Sequence, residues 1–299
     1  MQSHFGKGVL FALCAAALNA TIGVLSKVLM SSGFSSSSIA LIKTVLGCLL
    51  LSGLLLFLKR PEHTAKWLPA AVCAFLGIFV LFHFETAAYS HYAAAGVVVI
   101  LMASASISSI LLGRLVLKDP ITANATVGAG LTIAGIAVIF GADLGQGFTL
   151  QGAVLAAIGG CGYGAFSVAM KRMGVSGGLH FTRQLLFFGS LYLLMPAATD
   201  GFIVGELSLV AALALLALAA LPTILGFFCT TKAIEYLKPS QVQALELTEP
   251  LFAALLAFVI LNEVPRDTLY VGAGLILAGL GFSNELIRLG KKAPQPSGV

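Results

Sequence analysis

The sequence predicts an all-α membrane protein of ten transmembrane helices, arranged as two inverted five-helix repeats. Three observations lead there. Of 299 residues, 59% are hydrophobic and only 10% charged, with a mean hydropathy of +1.01, whereas soluble domains carry roughly 25% charged residues. Apolar runs recur at the length of about 20 residues that crosses about 30 Å of hydrocarbon. Finally, Val127-Gly128-Ala129-Gly130-Leu131 with Ala134-Gly135 returns as Val271-Gly272-Ala273-Gly274-Leu275 with Ala278-Gly279, an offset of 144 residues. The same offset carries Gly8 onto Gly152 and Lys27 onto Lys171, and lays the small-residue stripe Ala12, Ala16, Ala20 over Ala156, Gly160, Gly164. Self-similarity at a fixed offset marks a duplicated unit.

Polar and Pro/Gly-rich punctuation divides the chain into spans near 8–30, 37–58, 67–89, 94–117, 122–141, 150–170, 180–199, 207–229, 240–261 and 268–288. Gly8 to Met30 is too long for the core of a signal peptide, about 7 to 15 residues, and reads as the first span. The repeats then occupy 1–142 and 148–290, and the proline-bearing tail 291–299 reads as disordered. Connecting loops are short, so no soluble domain is inserted.

With the N-terminus in the cytoplasm, 14 of the 17 lysines and arginines fall on the inner side, leaving Lys27, Lys43 and Arg266 in the outer half. That asymmetry places both termini inside. Five spans per copy is an odd number, so the second copy enters the membrane upside down, a common plan of alternating-access carriers. The net charge of +5 sits in loops between spans and is a topology signal, not a nucleic-acid surface. Five single cysteines inside apolar segments offer no disulfide or metal spacing and read as small buried hydrophobes. Phosphate-loop, HExxH, GxSxG and CxxC motifs are all missing, which argues against ATP-driven pumping, soluble catalysis and any cofactor.

Leu247-Thr248-Glu249-Pro250-Leu251-Phe252-Ala253-Ala254-Leu255-Leu256-Ala257, running into Asn262-Glu263 and then a Gly-rich last span, resembles the EamA family of the drug/metabolite transporter superfamily. The resemblance extends from Gly8 to about Arg288. It implies a bacterial inner-membrane carrier for small molecules, commonly an exporter of amino acids or related metabolites, with a pathway lined by spans such as one, three, four, six, eight and nine. At the repeat offset Ser106 stands where the second copy has Pro250, and Asp119 where it has Glu263, so the family's proline kink is expected only in the second half.

Span nine carries the densest candidate chemistry. Gln243, Glu246, Glu249 and Pro250 follow i, i+3, i+6, i+7 spacing and form one polar stripe on an otherwise apolar helix. A charge near the bilayer centre costs roughly 2.5 to 3.5 kcal/mol or more, so Glu249 needs a cavity, a proton, a cation or a cargo ammonium. The bland alternative is a structural acceptor beside backbone freed by Pro250, which serves as the candidate hinge. Lys43, about two turns inside span two, suits either a structural carboxylate partner or anionic cargo. Arg183 in span seven lies near the cytoplasmic end, where snorkelling also explains it.

Span three gathers His83, Glu85, Tyr89, His91 and Tyr92. Interfacial anchoring accounts for Tyr89, His91 and Tyr92, while His83 and Glu85 lie deeper. Side chains two residues apart point about 200° apart on a helix, so His83 and Glu85 alone make no metal site. Asn19 and Tyr163 occupy equivalent places in spans one and six and suit either packing or the cavity. Ser104, with Ser106 and Ser108, offers hydroxyls in span four that also bond helix backbone. Phe227 and Phe228 suit an apolar subsite or lipid contact. The reading that unites these residues is a secondary carrier exporting amino acids or amino-acid-derived metabolites, with protons as the candidate coupling ion and the oligomeric state open. Its rivals are a metallophore or polycarboxylate exporter and, from another class, an intramembrane enzyme built on His83, Glu85 and Glu249.

Overall fold

The computed structural model describes residues 2–58, 66–92, 94–140, 149–199, 201–252, 255 and 267–283. The tail 291–299, the loop 143–148, the end of span nine and Asn262-Glu263 after it lie outside them. Among the described residues there is no β-strand. The helices are α1 (Gln2–Asn19), α2 (Ile22–Ser31), α3 (Ser36–Leu58), α4 (Trp67–Ala74), α5 (Leu81–His91), α6 (Ala94–Leu112), α7 (Ala123–Phe140), α8 (Leu150–Arg172), α9 (Leu179–Thr199), α10 (Leu209–Leu218), α11 (Phe227–Tyr236), α12 (Pro239–Glu246) and α13 (Asp267–Ser283).

Six helical stretches are long and apolar enough to cross a membrane: His4–Ser31, Ser36–Leu58, Trp67–His91, Val97–Leu117, Leu150–Arg172 and Leu209–Tyr236. Helices α7, α9 and α13, of 18, 21 and 17 residues, stand where the sequence places spans five, seven and ten. Large apolar side chains such as Leu49, Phe57, Leu115, Leu191 and Leu213 face outward, as a lipid-facing belt requires. Cys14 and Cys161 are exposed there too, while Cys73 and Cys229 are buried. The expectation of five buried cysteines thus holds for two, while Cys48 is half-buried and Cys14 and Cys161 lie on exposed helix faces.

The duplicated sequence folds into reciprocal contacts, the signature of halves exchanged by a local two-fold. On α7 and α13 a Cβ added to Gly135 would stand 2.5 Å from Gly272 O, and one added to Gly279 would stand 2.5 Å from Gly128 O. Residues 128 and 272, like 135 and 279, are one offset apart. At the helix starts, Gly8 packs against Tyr236 and Leu237, and its counterpart Gly152 packs against Tyr92 and His91. Lysines repeat the pattern. Lys27 Nζ donates to Tyr89 O at the end of α5, and Lys171 Nζ donates to Ile234 O, Glu235 O and Leu237 O at the end of α11, at 2.9, 3.2 and 3.1 Å. Each lysine therefore satisfies carbonyls that a helix C-terminus leaves unpaired and complements its dipole, worth typically about 0.3 to 1 kcal/mol.

Two deviations from regular helix also recur. Between α4 and α5, Phe75–Val80 is π-helical, and between α10 and α11, Ala219–Gly226 is π-helical; Phe75 and Ala219 are one offset apart. Pro222 removes an amide donor from the second segment, and Thr223 Oγ1 donates to Leu218 O at 2.8 Å across the widened turn. No proline accounts for the first. Glycines make room for both wide turns: Gly77 packs on the Phe166 ring, Gly189 on Ile78, and Gly47 on Thr223.

Two breaks do not recur. Span one is interrupted at Ala20 and Thr21, directly after Asn19, whereas α8 runs through the equivalent place. Span nine is interrupted after Glu246: Thr248 N donates to Leu245 O at 3.1 Å and Leu251 N to Thr248 O at 2.9 Å, tight i−3 bonds that end the α-helical ladder before helical backbone resumes at 249–252. Pro250 has no N–H for the Glu246 carbonyl, and its ring crowds that carbonyl. Its counterpart Ser106 sits within unbroken α6, as the missing first-half proline predicts.

Candidate functional site

The elements that converge on the centre are α3, α5, α8, α11, α12 and the turn that follows α12. They carry four buried ionisable side chains from both halves: Lys43 and Glu85 from the first, Glu246 and Glu249 from the second. All four are at most 4% exposed.

Lys43 comes from α3, whose other inward residues are small or aliphatic. Its Nζ lies 3.8 Å from the centroid of the Phe82 ring and makes no hydrogen bond among the described residues. Phe82, Glu85, Thr86 and Tyr89 share one buried face of α5, at i, i+3, i+4, i+7. The Tyr89 hydroxyl donates to Glu85 Oε1 at 3.2 Å, while Glu85 Oε2 has no described partner. The charges of Lys43 and Glu85 act on each other, and Glu85 and Glu246 both act on Glu249.

Glu246 is held by a chain of hydroxyls. Thr230 Oγ1 donates to Glu246 Oε1 at 2.7 Å, and the Tyr163 hydroxyl lies 3.0 Å from Thr230 Oγ1. One turn earlier, Gln243 Nε2 donates to Ser167 Oγ at 3.0 Å, and Ser167 Oγ donates to Tyr163 O at 3.2 Å. This network ties α12 to α8 and α11, yet leaves Gln243 Oε1, Glu246 Oε2 and Glu249 Oε2 without described partners. An unsatisfied buried polar group costs about 1 to 3 kcal/mol, more when charged. Among the described residues, three carboxylates and one ammonium thus keep open hydrogen-bonding capacity that a bound polar group could meet.

An aromatic wall adjoins the charges. Phe227 meets Phe82 edge to face at 5.3 Å and lies 5.9 Å from Phe166 and 6.3 Å from Tyr163. Asn19, at the end of α1, is buried with Oδ1 accepting no bond from the described residues, and Gly226 leaves the space it occupies.

Not every candidate joins this centre. His83 is on the other side of α5 from Glu85, stacked on Phe79 at 5.8 Å and 2° and beside Phe84 at 5.0 Å. The charge of Arg183 acts on Cys48 of α3 and on none of the three glutamates. Ser104 lies on the α6–α8 seam, where a Cβ on Gly160 would come within 2.9 Å of its own. Tyr89 and Tyr92 are buried rather than interfacial, Tyr92 because α8 begins directly against it at Gly152 and Tyr89 because its hydroxyl turns inward to Glu85; His91 is exposed. Phe82, Ser167 and Thr230 are partners, and Thr86 a buried residue on the Glu85 face of α5, that sequence reasoning did not single out. One signal was available for two of them, since Thr86 and Thr230 are one offset apart.

A helical membrane protein of two related halves, with buried charges from both halves at their seam, is a carrier in layout. The chain belongs to the EamA-like transporter family, whose model matches residues 6–141 and again 150–284. A protein of Streptantibioticus cattleyicolor described as a probable terminal-alkyne amino-acid exporter is 29% identical over 194 residues, and the match spans 64% of either chain. A solved crystal structure of a protein with no more specific description superposes with a TM-score of 0.75 at 20% identity, over 94% of this chain and 99% of that one; it bears on the fold alone.

Proposed function

We propose that this protein exports amino acids or amino-acid-derived small metabolites by alternating access across a bacterial inner membrane. It does so with ten spans in two inverted repeats and with both termini in the cytoplasm. The observation that carries the reading is the cluster of Lys43, Glu85, Glu246 and Glu249 at the seam of the halves, which offers one cationic and several anionic contacts to a small zwitterion. The description of the Streptantibioticus relative as an amino-acid exporter supports the same cargo class. Three carboxylates against one lysine count against a polycarboxylate or metallophore, whose own anions would be repelled. The excess of acid also favours protons as coupling ions. Swapping the conformations of the two halves would open the seam to one side and then the other.

Proteoliposomes preloaded with unlabelled amino acid should accumulate the same labelled amino acid transiently, for at least one member of a panel of the protein amino acids plus propargylglycine. Equal uptake into loaded and empty vesicles for every member would end the reading. Orientation is checked separately. Cysteines introduced at Ser3 and at Ser297 should resist an impermeant maleimide in intact cells and react after permeabilisation, and labelling of either from outside would reverse the topology.

A further inference from the structure

We propose that Lys43 is the carboxylate receptor of the transport site and that Glu85 and Glu249 hold the cargo's ammonium. The site would then accept compounds that carry both groups free and refuse their esters and decarboxylated amines. The inference rests on the carrier reading above and adds which residue meets which end of the cargo.

The duplication supplies the argument. In a two-copy protein, a charge that the scaffold needs should appear in both copies, and Lys27 and Lys171 do: each caps the same helix end in its own half. The four buried charges at the seam do not. Between α3 and α9 the copies are 142 residues apart, as Gly47 and Gly189 on the two π turns show, so buried Lys43 is matched by buried Leu185; at 144 residues Glu85 is matched by Cys229, Glu249 by Ala105 and Glu246 by Met102. The same scaffold positions therefore fold without any of these charges, and the four unduplicated charges nevertheless couple in a row at the centre, Lys43 with Glu85, Glu85 with Glu249 and Glu249 with Glu246. Packing does not require them there.

Lys43 is the sharpest case. Its ammonium has three donors, is fully buried, and among the described residues lies over the face of Phe82 at 3.8 Å with no hydrogen bond. A ring face is a weak substitute for lost hydration and satisfies no N–H direction. Glu85, whose charge acts on Lys43, already accepts from Tyr89 with Oε1. The open donors of Lys43 therefore face a site that also holds the open oxygens Glu85 Oε2 and Glu249 Oε2. An α-amino acid matches that pattern, one anionic and one cationic group separated by a single carbon. An amine alone would add a cation beside an unanswered Lys43. An ester would put a neutral, weaker acceptor there. Glu246 is left out of the assignment because its charge acts on Glu249 but on neither Lys43 nor Glu85.

The test competes counterflow of whichever panel amino acid is carried fastest with its own methyl ester and its decarboxylated amine, for propargylglycine but-3-ynylamine. On the wild-type protein both analogues should compete at least about thirtyfold more weakly, since a site built to bond a group rejects the analogue lacking it. In Lys43→Met the gap should narrow to less than about threefold through loss of affinity for the amino acid, and Lys43→Arg should restore part of it. Wild-type protein that takes ester or amine within about threefold of the amino acid overturns the assignment, as does Lys43→Met that keeps the wild-type gap. Should Lys43→Met fail to fold, the wild-type series decides alone. Wild-type protein with no amino-acid counterflow at all would instead remove the carrier reading itself.

Discussion

Glu249→Gln should leave the protein folded, with a melting temperature equal to or above that of the wild type, and reduce amino-acid counterflow by at least about a hundredfold. The two halves of that expectation have one cause. Glu249 is 2% exposed, stands at the break in span nine, and lies within the fields of Glu85 and Glu246, both of its own sign. Its Oε2 has no hydrogen-bond partner among the described residues, so that oxygen is uncompensated there. Removing one of three crowded like charges relieves repulsion and desolvation, while glutamine keeps the shape. A purely structural acceptor would behave in the opposite way, losing stability and keeping transport. Reconstituted counterflow and thermal unfolding in the same detergent-purified sample decide between them. A variant that transports like the wild type from about pH 5.5 to about pH 8.5 would leave Glu249 structural and return attention to Lys43 and Glu85.

The fold was legible where sequence periodicity and structure share a cause. Apolar runs of membrane length become helices because a backbone without water must bond to itself, and the Val-Gly-Ala-Gly-Leu duplication becomes the α7–α13 contact because small residues permit close approach. The break at Pro250 and its absence at Ser106 were legible for the same reason, one missing N–H. The π turns at Phe75–Val80 and Ala219–Gly226 were not. Pro222 marks one of them, but Ile78 stands at the equivalent place of the other and carries no local signal; the widened backbone there is accommodated by glycines on distant helices.

Partner identity at the site was hidden in the same way. That Glu246 faces inward follows from its stripe on span nine, but that Thr230 and Tyr163 hold it depends on how α8 and α11 meet α12. Glu85 and His83 were separable from helix geometry alone, since two residues apart is more than half a turn. Tyr89 was not, because its position near a helix end suits a membrane interface equally well until its hydroxyl is seen to turn inward to Glu85.

Valine at Gly135 or Gly279 should destabilise the protein strongly, by about 1 to 3 kcal/mol each, whereas valine at Gly130 or Gly274 should change stability by less than about 0.5 kcal/mol. All four glycines belong to the same duplicated motif, so composition, helix propensity and membrane depth do not separate them. Contact does. A Cβ at Gly135 would meet Gly272 O at 2.5 Å and Leu275 Cβ at 2.9 Å, and one at Gly279 would meet Gly128 O at 2.5 Å, while at Gly130 and Gly274 nothing stands within 4 Å. A backbone carbonyl cannot rotate aside as a side chain can, so α7 and α13 would have to move apart, forfeiting their close packing along the whole seam. Because the contact is reciprocal, the double variant Gly135→Val/Gly279→Val should cost less than the sum of the singles, the second valine entering a gap that the first has already opened. Midpoint temperatures of the five variants in one detergent measure this directly. Equal losses at all four single sites would show that the motif is sensitive to bulk at large and that the α7–α13 approach is not where its glycines act.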